Sequence, residues 1–152
     1  MFVKFLLGWS LAFCVALSAS AGMNIQSWQT SQGARVLFVE NHDLPMLDVS
    51  VDFAAGSARD TREKSGLANL TRHMMGLGAG VYSERDIAEK MADVGAVLSG
   101  RFDADRAGFS LRSLSGEVER NQAVGLLAAI LSLPHFDIPV LDREKARVIA
   151  GL

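Results

Sequence analysis

The three histidines of this sequence are its first candidates for metal or proton chemistry. His42 lies in a polar turn, His135 lies in a short connection after a proline, and His73 lies on a stretch with helical spacing of apolar residues. A catalytic zinc site normally needs three protein ligands and an open position for water. The histidines lack the spacing of paired ligands, so we expect His42 and His135 at the surface. We expect His73 to be a core histidine held by hydrogen bonds rather than a metal ligand.

The single cysteine, Cys14, lies in an N-terminal segment with the pattern of a signal peptide. A basic start is followed by an apolar run over residues 5–18 and by Ala-Ser-Ala at residues 19–21. This arrangement is typical of signal-peptidase sites, so we predict a signal peptide over residues 1–21 and a mature chain over residues 22–152. An uncleaved N-terminal anchor is the alternative. Cleavage removes the only cysteine, which excludes disulfides and cysteine catalysis, and export predicts a periplasmic location.

Charge and hydropathy exclude two classes of partner. The formal net charge is −2, both signs are mixed along the chain, and the sequence contains no basic cluster. We therefore expect no nucleic-acid partner. No second long apolar segment follows residue 21, so we expect no stable membrane insertion after cleavage. A hydrophobic fraction of 49% favours a folded domain.

Strand-like and helix-like periodicities alternate along the mature sequence. Strand-like runs at residues 25–30 and 35–40, separated by a polar stretch that contains Gly33, predict a hairpin. Further strands are predicted at residues 47–53, 96–102 and 107–114. Residues 54–64 have no period and are predicted to form a loop. Helical spacing predicts helices at residues 65–75, from 83 onward, at 118–131 and at 140–152. This order predicts an α+β fold, with a mostly antiparallel sheet and helices packed on one face. The last helix has no stop signal, so we expect a truncated chain that is the N-terminal part of a longer protein.

Two short segments carry a resemblance to a known family. Residues 56–60 read Gly-Ser-Ala-Arg-Asp, and residues 65–75 read Ser-Gly-Leu-Ala-Asn-Leu-Thr-Arg-His-Met-Met. They resemble the pitrilysin/insulinase family of zinc metallopeptidases, which includes processing peptidases. Its active members have a Gly-Ser-x-x-Asp loop and a helix that reads Gly-Leu-Ala-His-x-x-Glu-His-Met. In that inverted motif two histidines bind one zinc ion, and the Glu takes a proton from the zinc-bound water. The resemblance implies the α+β peptidase domain of this family.

The residues that would bind zinc are replaced in this sequence. Asn69 stands at the first His position and Arg72 at the Glu position, and only His73 matches the motif. The resemblance implies a third ligand seven residues after the Glu of an Arg-Glu-Lys-like stretch; Glu144 is that Glu here, and the seventh residue after it is Gly151. One His does not make a zinc site, and Arg72 adds a positive charge that cannot act as a base. We therefore expect no catalytic residue, no metal ligand set and no cofactor, and we expect Arg72 to be a solvated charge.

A family scaffold around a degenerate motif implies a non-catalytic member. Some bacterial members of this family pair an active subunit with a sister that lacks the zinc motif. The leading hypothesis is therefore a substrate-binding or structural partner of an active zinc metallopeptidase subunit, with peptide substrates, in the periplasm. Two alternatives stay open: an active zinc-dependent metalloendopeptidase with an unorthodox site, and a stand-alone periplasmic binding or scaffold domain.

Overall fold

The computed structural model describes residues 24–151, which fall into two compact units. The boundary lies between Asp43 and Leu44. The predicted signal peptide, residues 1–21, lies outside the described residues. Within those residues no helix is both long enough and apolar enough to cross a membrane.

The first unit contains the predicted hairpin of β1 (Ile25–Gln29) and β2 (Arg35–Val39), which pair antiparallel. The rings of Trp28 and Phe38 lie 6.4 Å apart, centroid to centroid. Gly33, with φ of +88°, supplies the left-handed residue in the turn between the strands. The sequence prediction of this hairpin is confirmed.

The second unit contains five strands and four helices within the described residues. In chain order they are β3 (Met46–Phe53), α1 (Leu67–Met75), β4 (Gly78–Ala79), β5 (Tyr82–Ser83), α2 (Glu84–Asp93), β6 (Val97–Phe102), β7 (Ala107–Leu114), α3 (Glu117–Ser132) and α4 (Ile138–Ala150). Strands β3, β7 and β6 form an antiparallel sheet with β7 in the middle. Strands β4 and β5 form a separate short pair. The predicted α+β fold with antiparallel sheets is confirmed.

Apolar and polar residues alternate along the strands of the three-stranded sheet, so one of its faces is apolar. Helices cover that face. Phe109 and Leu111 of β7 are buried, whereas Arg112, the residue after Leu111, is exposed. Gly100 of β6 pairs with Phe109 and therefore shares its face. The buried core combines this face with apolar residues from α2 and α3, among them Ile87, Met91, Ala123, Leu126, Leu127 and Ile130.

Three details differ from the sequence prediction. The short strands β4 and β5 have no counterpart in it. Helix α4 begins at Ile138 rather than residue 140, so Pro139 lies in its first turn. Proline is tolerated there because the first amides of a helix have no acceptor within the helix. The segment before α1, predicted to be a loop, contains two 3₁₀ turns, Ser57–Arg59 and Arg62–Lys64.

Candidate functional site

Helix α1 carries the degenerate motif, and an aspartate outside the helix fixes its start. The Asp60 carboxylate accepts hydrogen bonds from the backbone N–H groups of Gly66 and Ala68, both at 2.9 Å. These amides belong to the first turn of the helix, where no backbone acceptor is available. A carboxylate at this end also interacts favourably with the helix dipole. Asp60 of the Gly-Ser-x-x-Asp loop therefore caps and orients α1.

The same loop is attached to the turn between β6 and β7. The N–H of Gly56 donates to the carbonyl of Asp105 at 3.2 Å, and the N–H of Ala58 donates to the carbonyl of Ala104 at 2.8 Å. A Cβ atom at position 56 would collide with the Ala104 carbonyl. Glycine is therefore required at this position by the close approach of two backbones rather than by its φ angle, which is −78°.

His73 of α1 contacts Glu144 of α4. The two atoms involved, His73 Nε2 and Glu144 Oε2, lie 3.0 Å apart. The Glu144 side chain is 2% exposed and the His73 side chain is 40% exposed. The predicted hydrogen bonding of His73 is confirmed, but its placement in the core is wrong, because the ring lies at the edge of the α1–α4 contact.

Two arginines complete the environment of the buried carboxylate. Arg143 Nε donates to Glu144 Oε1 at 2.7 Å, and Arg147 Nη1 donates to Oε2 at 3.0 Å. Arg143 also reaches Glu84 at the start of α2, with an Nη2 to Oε2 distance of 2.8 Å. Burial alone would raise the pKa of Glu144, but the hydrogen bonds from Arg143 and His73 outweigh it, and the pKa lies below its ordinary value. Glu144 is therefore an ionised carboxylate that connects α4 to α1, and Arg143 connects it in turn to α2.

Arg72 turns to the sheet and is not the solvated charge expected from sequence. Its guanidinium fills the space over Gly100 of β6, where a Cβ atom would collide with Arg72 Nη1. Its Nε is buried and has no hydrogen-bond partner among residues 24–151. Its Nη2 makes a long contact of 3.4 Å to the side-chain oxygen of Asn69. Burial lowers the pKa of Arg72, but a guanidinium remains charged at neutral pH.

Asn69 and Gly151, the other two substituted motif positions, are both exposed. Asn69 is exposed and lines a cleft of about 630 Å³ between the start of α1 and the end of α4, together with Val148 and Ile149. Gly151 is the C-terminal cap residue of α4, is exposed and has no side chain. It follows Glu144 by two helical turns, about 10 Å along the axis.

The geometry of these residues does not fit a zinc ion. His73 Nε2 is engaged by a carboxylate that two arginines already neutralise. A cation at the neighbouring position, Arg72, opposes a second cation. In the part of the chain that the structure describes, no group of three His, Cys, Asp or Glu side chains could hold a metal ion.

The other two histidines lie away from this network. His42 is exposed, as predicted, and its Nε2 lies 2.8 Å from Glu40 Oε1. His135 also lies at the surface, but its Nε2 donates to the Gly80 carbonyl at 2.7 Å. Its ring packs on Gly78, where a Cβ atom would lie 2.8 Å from His135 Nδ1. His135 therefore holds the connection before α4 against the β4–β5 pair.

A comparison with protein-family models identifies the fold that carries this site. The model described as insulinase, peptidase family M16, matches residues 35–151. The chain belongs to this family. The resemblance drawn from the two motif segments is therefore confirmed, and the M16 domain of this chain contains the substituted positions 69, 72 and 151.

Two relatives identified by sequence are much longer than this chain. A probable mitochondrial-processing peptidase subunit beta of Arabidopsis thaliana is 28% identical over 113 residues, which is 74% of this chain and 21% of the relative. The uncharacterized zinc protease YmxG of Bacillus subtilis is 24% identical over 121 residues, which is 80% of this chain and 29% of the relative. The chain thus spans between a fifth and a third of the length of these relatives.

Two solved structures share the M16 fold. An inactive domain of peptidase M16 from Pseudomonas fluorescens superposes with a TM-score of 0.81 at 39% identity, over 85% of this chain and 31% of that chain. A protease from Helicobacter pylori superposes with a TM-score of 0.69 at 15% identity, over 78% of this chain and 28% of that one. The chain is similar to the Pseudomonas fluorescens inactive domain in both fold and sequence. The similarity to the Helicobacter pylori protease shows the fold alone.

The motif positions are evident in the sequence, but their contacts are not. Glu144 enters the motif comparison only as the reference position for Gly151, although Glu144 is the side chain that His73 contacts. One signal was available: Glu144 follows Val140 and Leu141 at helical spacing and so falls on the apolar stripe of α4. A charged residue in such a stripe indicates a buried partner.

Proposed function

We propose that this chain belongs to a non-catalytic M16 protein that supplies structure and peptide-binding surface to an active zinc peptidase subunit. One observation carries the proposal. The only motif histidine, His73, contacts the ionised carboxylate of Glu144, which two arginines neutralise, and this contact links α1 to α4. Arg72 supports it, because a packed cation replaces the base that would activate water.

The similarity to the Pseudomonas fluorescens inactive domain supports the same reading at 39% identity. The named relatives are a processing-peptidase subunit and a zinc protease, and this supports peptides as the class of substrate that the assembly would handle. The proposed location is the periplasm, on the basis of the signal-peptide pattern at residues 1–21. The partner is an M16 subunit with an intact His-x-x-Glu-His sequence.

Zinc content and association test the proposal together. The full-length protein is purified, its zinc is measured by elemental analysis, and the measurement is repeated after mixing with an M16 homologue that has the intact motif. We expect no zinc in the isolated protein, and a stable mixed complex that contains only the zinc of the active subunit.

The variant His73→Ala and the matched control His42→Ala, at an exposed histidine, distinguish the alternatives. If the proposal holds, neither variant changes the zinc content of the isolated protein. One zinc per chain, lost in His73→Ala but not in His42→Ala and accompanied by chelator-sensitive peptidase activity, would identify an active enzyme instead. Absence of both zinc and association would leave a stand-alone binding or scaffold domain.

A further inference from the structure

A pocket of about 490 Å³ lies between α1 and the strands β3 and β7. We call it the α1 pocket. Apolar side chains make up most of its lining, and they include Phe53, Leu67, Met75, Phe109 and Leu131. Its volume is in the range of sites that hold small ligands or single amino-acid residues. An apolar group would therefore fit the pocket by size and by surface chemistry.

The charged groups of the α1 pocket are unbalanced. Two cations, Arg59 and Arg72, line it together with a single carboxylate, Asp60. Both oxygens of Asp60 already accept backbone N–H groups at the start of α1. Among residues 24–151 neither arginine forms an ion pair. The pocket therefore presents positive charge beside an apolar surface.

Arg72 is the cation with the clearest unmet bonding capacity. Its Nε is buried without a hydrogen-bond partner in the described residues, and its one side-chain contact, to Asn69, is 3.4 Å long. Its packing over Gly100 holds the guanidinium in place. A buried polar group without a partner is costly, and a guanidinium matches a carboxylate in geometry as well as charge. A ligand carboxylate is the group that would complement the charge of this lining residue.

We propose that the α1 pocket binds the C-terminal residue of a peptide, with its apolar side chain in the pocket and its carboxylate on Arg72. The C-terminal residue is the one position of a peptide that carries an apolar side chain and a free carboxylate on the same Cα atom. An internal Asp or Glu offers the charge without the apolar group. This assignment rests on the proposed peptide-binding function and names its ligand class.

The test compares two probes on the full-length protein. N-acetyl-Ala-Phe as the free acid and the same dipeptide as its C-terminal amide are titrated by calorimetry. Amidation removes the charge but leaves the Phe side chain unchanged. Because hydrogen bonds between charged groups are the strong ones, we expect the amide to bind at least about tenfold more weakly. Equal binding of acid and amide, or binding of neither, would overturn the proposal.

Variants assign the effect to Arg72. Arg72→Gln should weaken binding of the acid to the level of the amide, and Arg72→Lys should retain part of the preference because it keeps the charge without the fork of donors. The matched control is Arg85→Gln, which removes a cation from an exposed pair on α2 with a side-chain exposure of 85% and should leave the preference unchanged. An equal loss in both Gln variants would overturn the assignment to Arg72.

Two further results separate this proposal from others. Tighter binding of decanoate than of the acid dipeptide would indicate a fatty-acid site and refute the peptide assignment. If the full-length protein shows no preference for the acid over the amide but lacks zinc and associates with an active subunit, the ligand assigned to the α1 pocket is refuted and the proposed function is not. Zinc in the isolated protein would instead refute the proposed function.

Discussion

Replacing Glu144 by Gln removes the negative charge that three side chains contact, and the size and shape of the side chain remain nearly the same. The wild-type carboxylate is 2% exposed and accepts from His73 and from two arginines. The arginines are 45% and 67% exposed, so they can turn to water when the charge is removed. We therefore expect Glu144→Gln to lower the free energy of opening α4 by about 2–3 kcal/mol, which is less than the loss expected for a fully buried ion pair.

The contact between His73 and Glu144 should be visible as a coupling energy. His73→Ala alone should cost about 1–2 kcal/mol, because the buried carboxylate loses one of three donors. The double variant should lose less stability than the sum of the two single-variant losses, and the difference, the coupling energy, should be about 1 kcal/mol. The exposed pair Arg85 and Glu89, with side-chain exposures of 85% and 57%, is the control, and its coupling should be at most about 0.5 kcal/mol.

Amide hydrogen exchange measures these energies where the contact is made. Opening free energies of amides in α1 and α4 are compared among the wild type, both single variants and the double variant, with amides of β7 as the internal reference. On the proposed non-catalytic function, addition of a chelator should change none of them. Additive losses within about 0.3 kcal/mol, or equal losses in β7 and α4, would refute the assignment of His73 and Glu144 as a link between two helices.

The pH dependence gives an independent check on the charge of Glu144. Its pKa lies below the ordinary value in the folded protein: burial opposes this shift, and hydrogen bonds from Arg143 and His73 produce it. The folded state then binds fewer protons than the unfolded state in the acid range. The stabilisation is fully present above the unfolded-state pKa of about 4.3 and is lost as the pH falls through the lower folded-state pKa. The difference between wild type and Glu144→Gln should shrink over that window, and a constant difference would contradict an ionised Glu144.

Three further substitutions test how α1 is positioned, with Gly125→Ala as a control and Arg72→Ala as a background, and each is measured by chemical denaturation. Asp60→Ala removes the cap of α1 and should cost about 1–2 kcal/mol, and an unchanged midpoint would show that water replaces the carboxylate without loss. Gly56→Ala forces a backbone collision and should cost about 1–3 kcal/mol, whereas Gly125→Ala, in a helix with open space around the Cα, should stabilise by about 0.5–1 kcal/mol. Gly100→Ala should be destabilising with Arg72 present and close to neutral in an Arg72→Ala background, and equal effects in both backgrounds would contradict the packing of Arg72 on β6.

The elements of the fold could be predicted from the sequence because each has a local signal. Alternation in β3 and β7, helical spacing in α1, and the Ser83 and Asp86 capping box of α2 all lie within a few residues of the element that they specify. The sequence predicts the start of α4 two residues late, because proline occurs both in loops and in the first turn of a helix. Local patterns therefore fix where elements lie more reliably than where they begin.

The contacts of the site could not be predicted in the same way, because they join residues far apart in sequence. His73 and Glu144 are separated by 71 positions, and no local pattern specifies which side chain of α4 meets α1. The position of Arg72 over Gly100 depends on how α1 crosses β6. The family motif indicated which positions were substituted, and only the packing of helix on helix and helix on sheet shows what the substituted residues contact.

Arg72 and His73 hold α1 against two different neighbours, although the motif of active relatives places both positions in one zinc site, as general base and as ligand. Arg72 packs on β6 at Gly100, and His73 binds Glu144 of α4. Because each side chain has its own partner, Arg72→Glu alone would not assemble a zinc site: His73 would remain on Glu144, and Gly151 would still lack a ligand atom. The contacts of the substituted positions are thus distributed over a helix, a strand and a helix end, so on the proposed function no single substitution would assemble a zinc site.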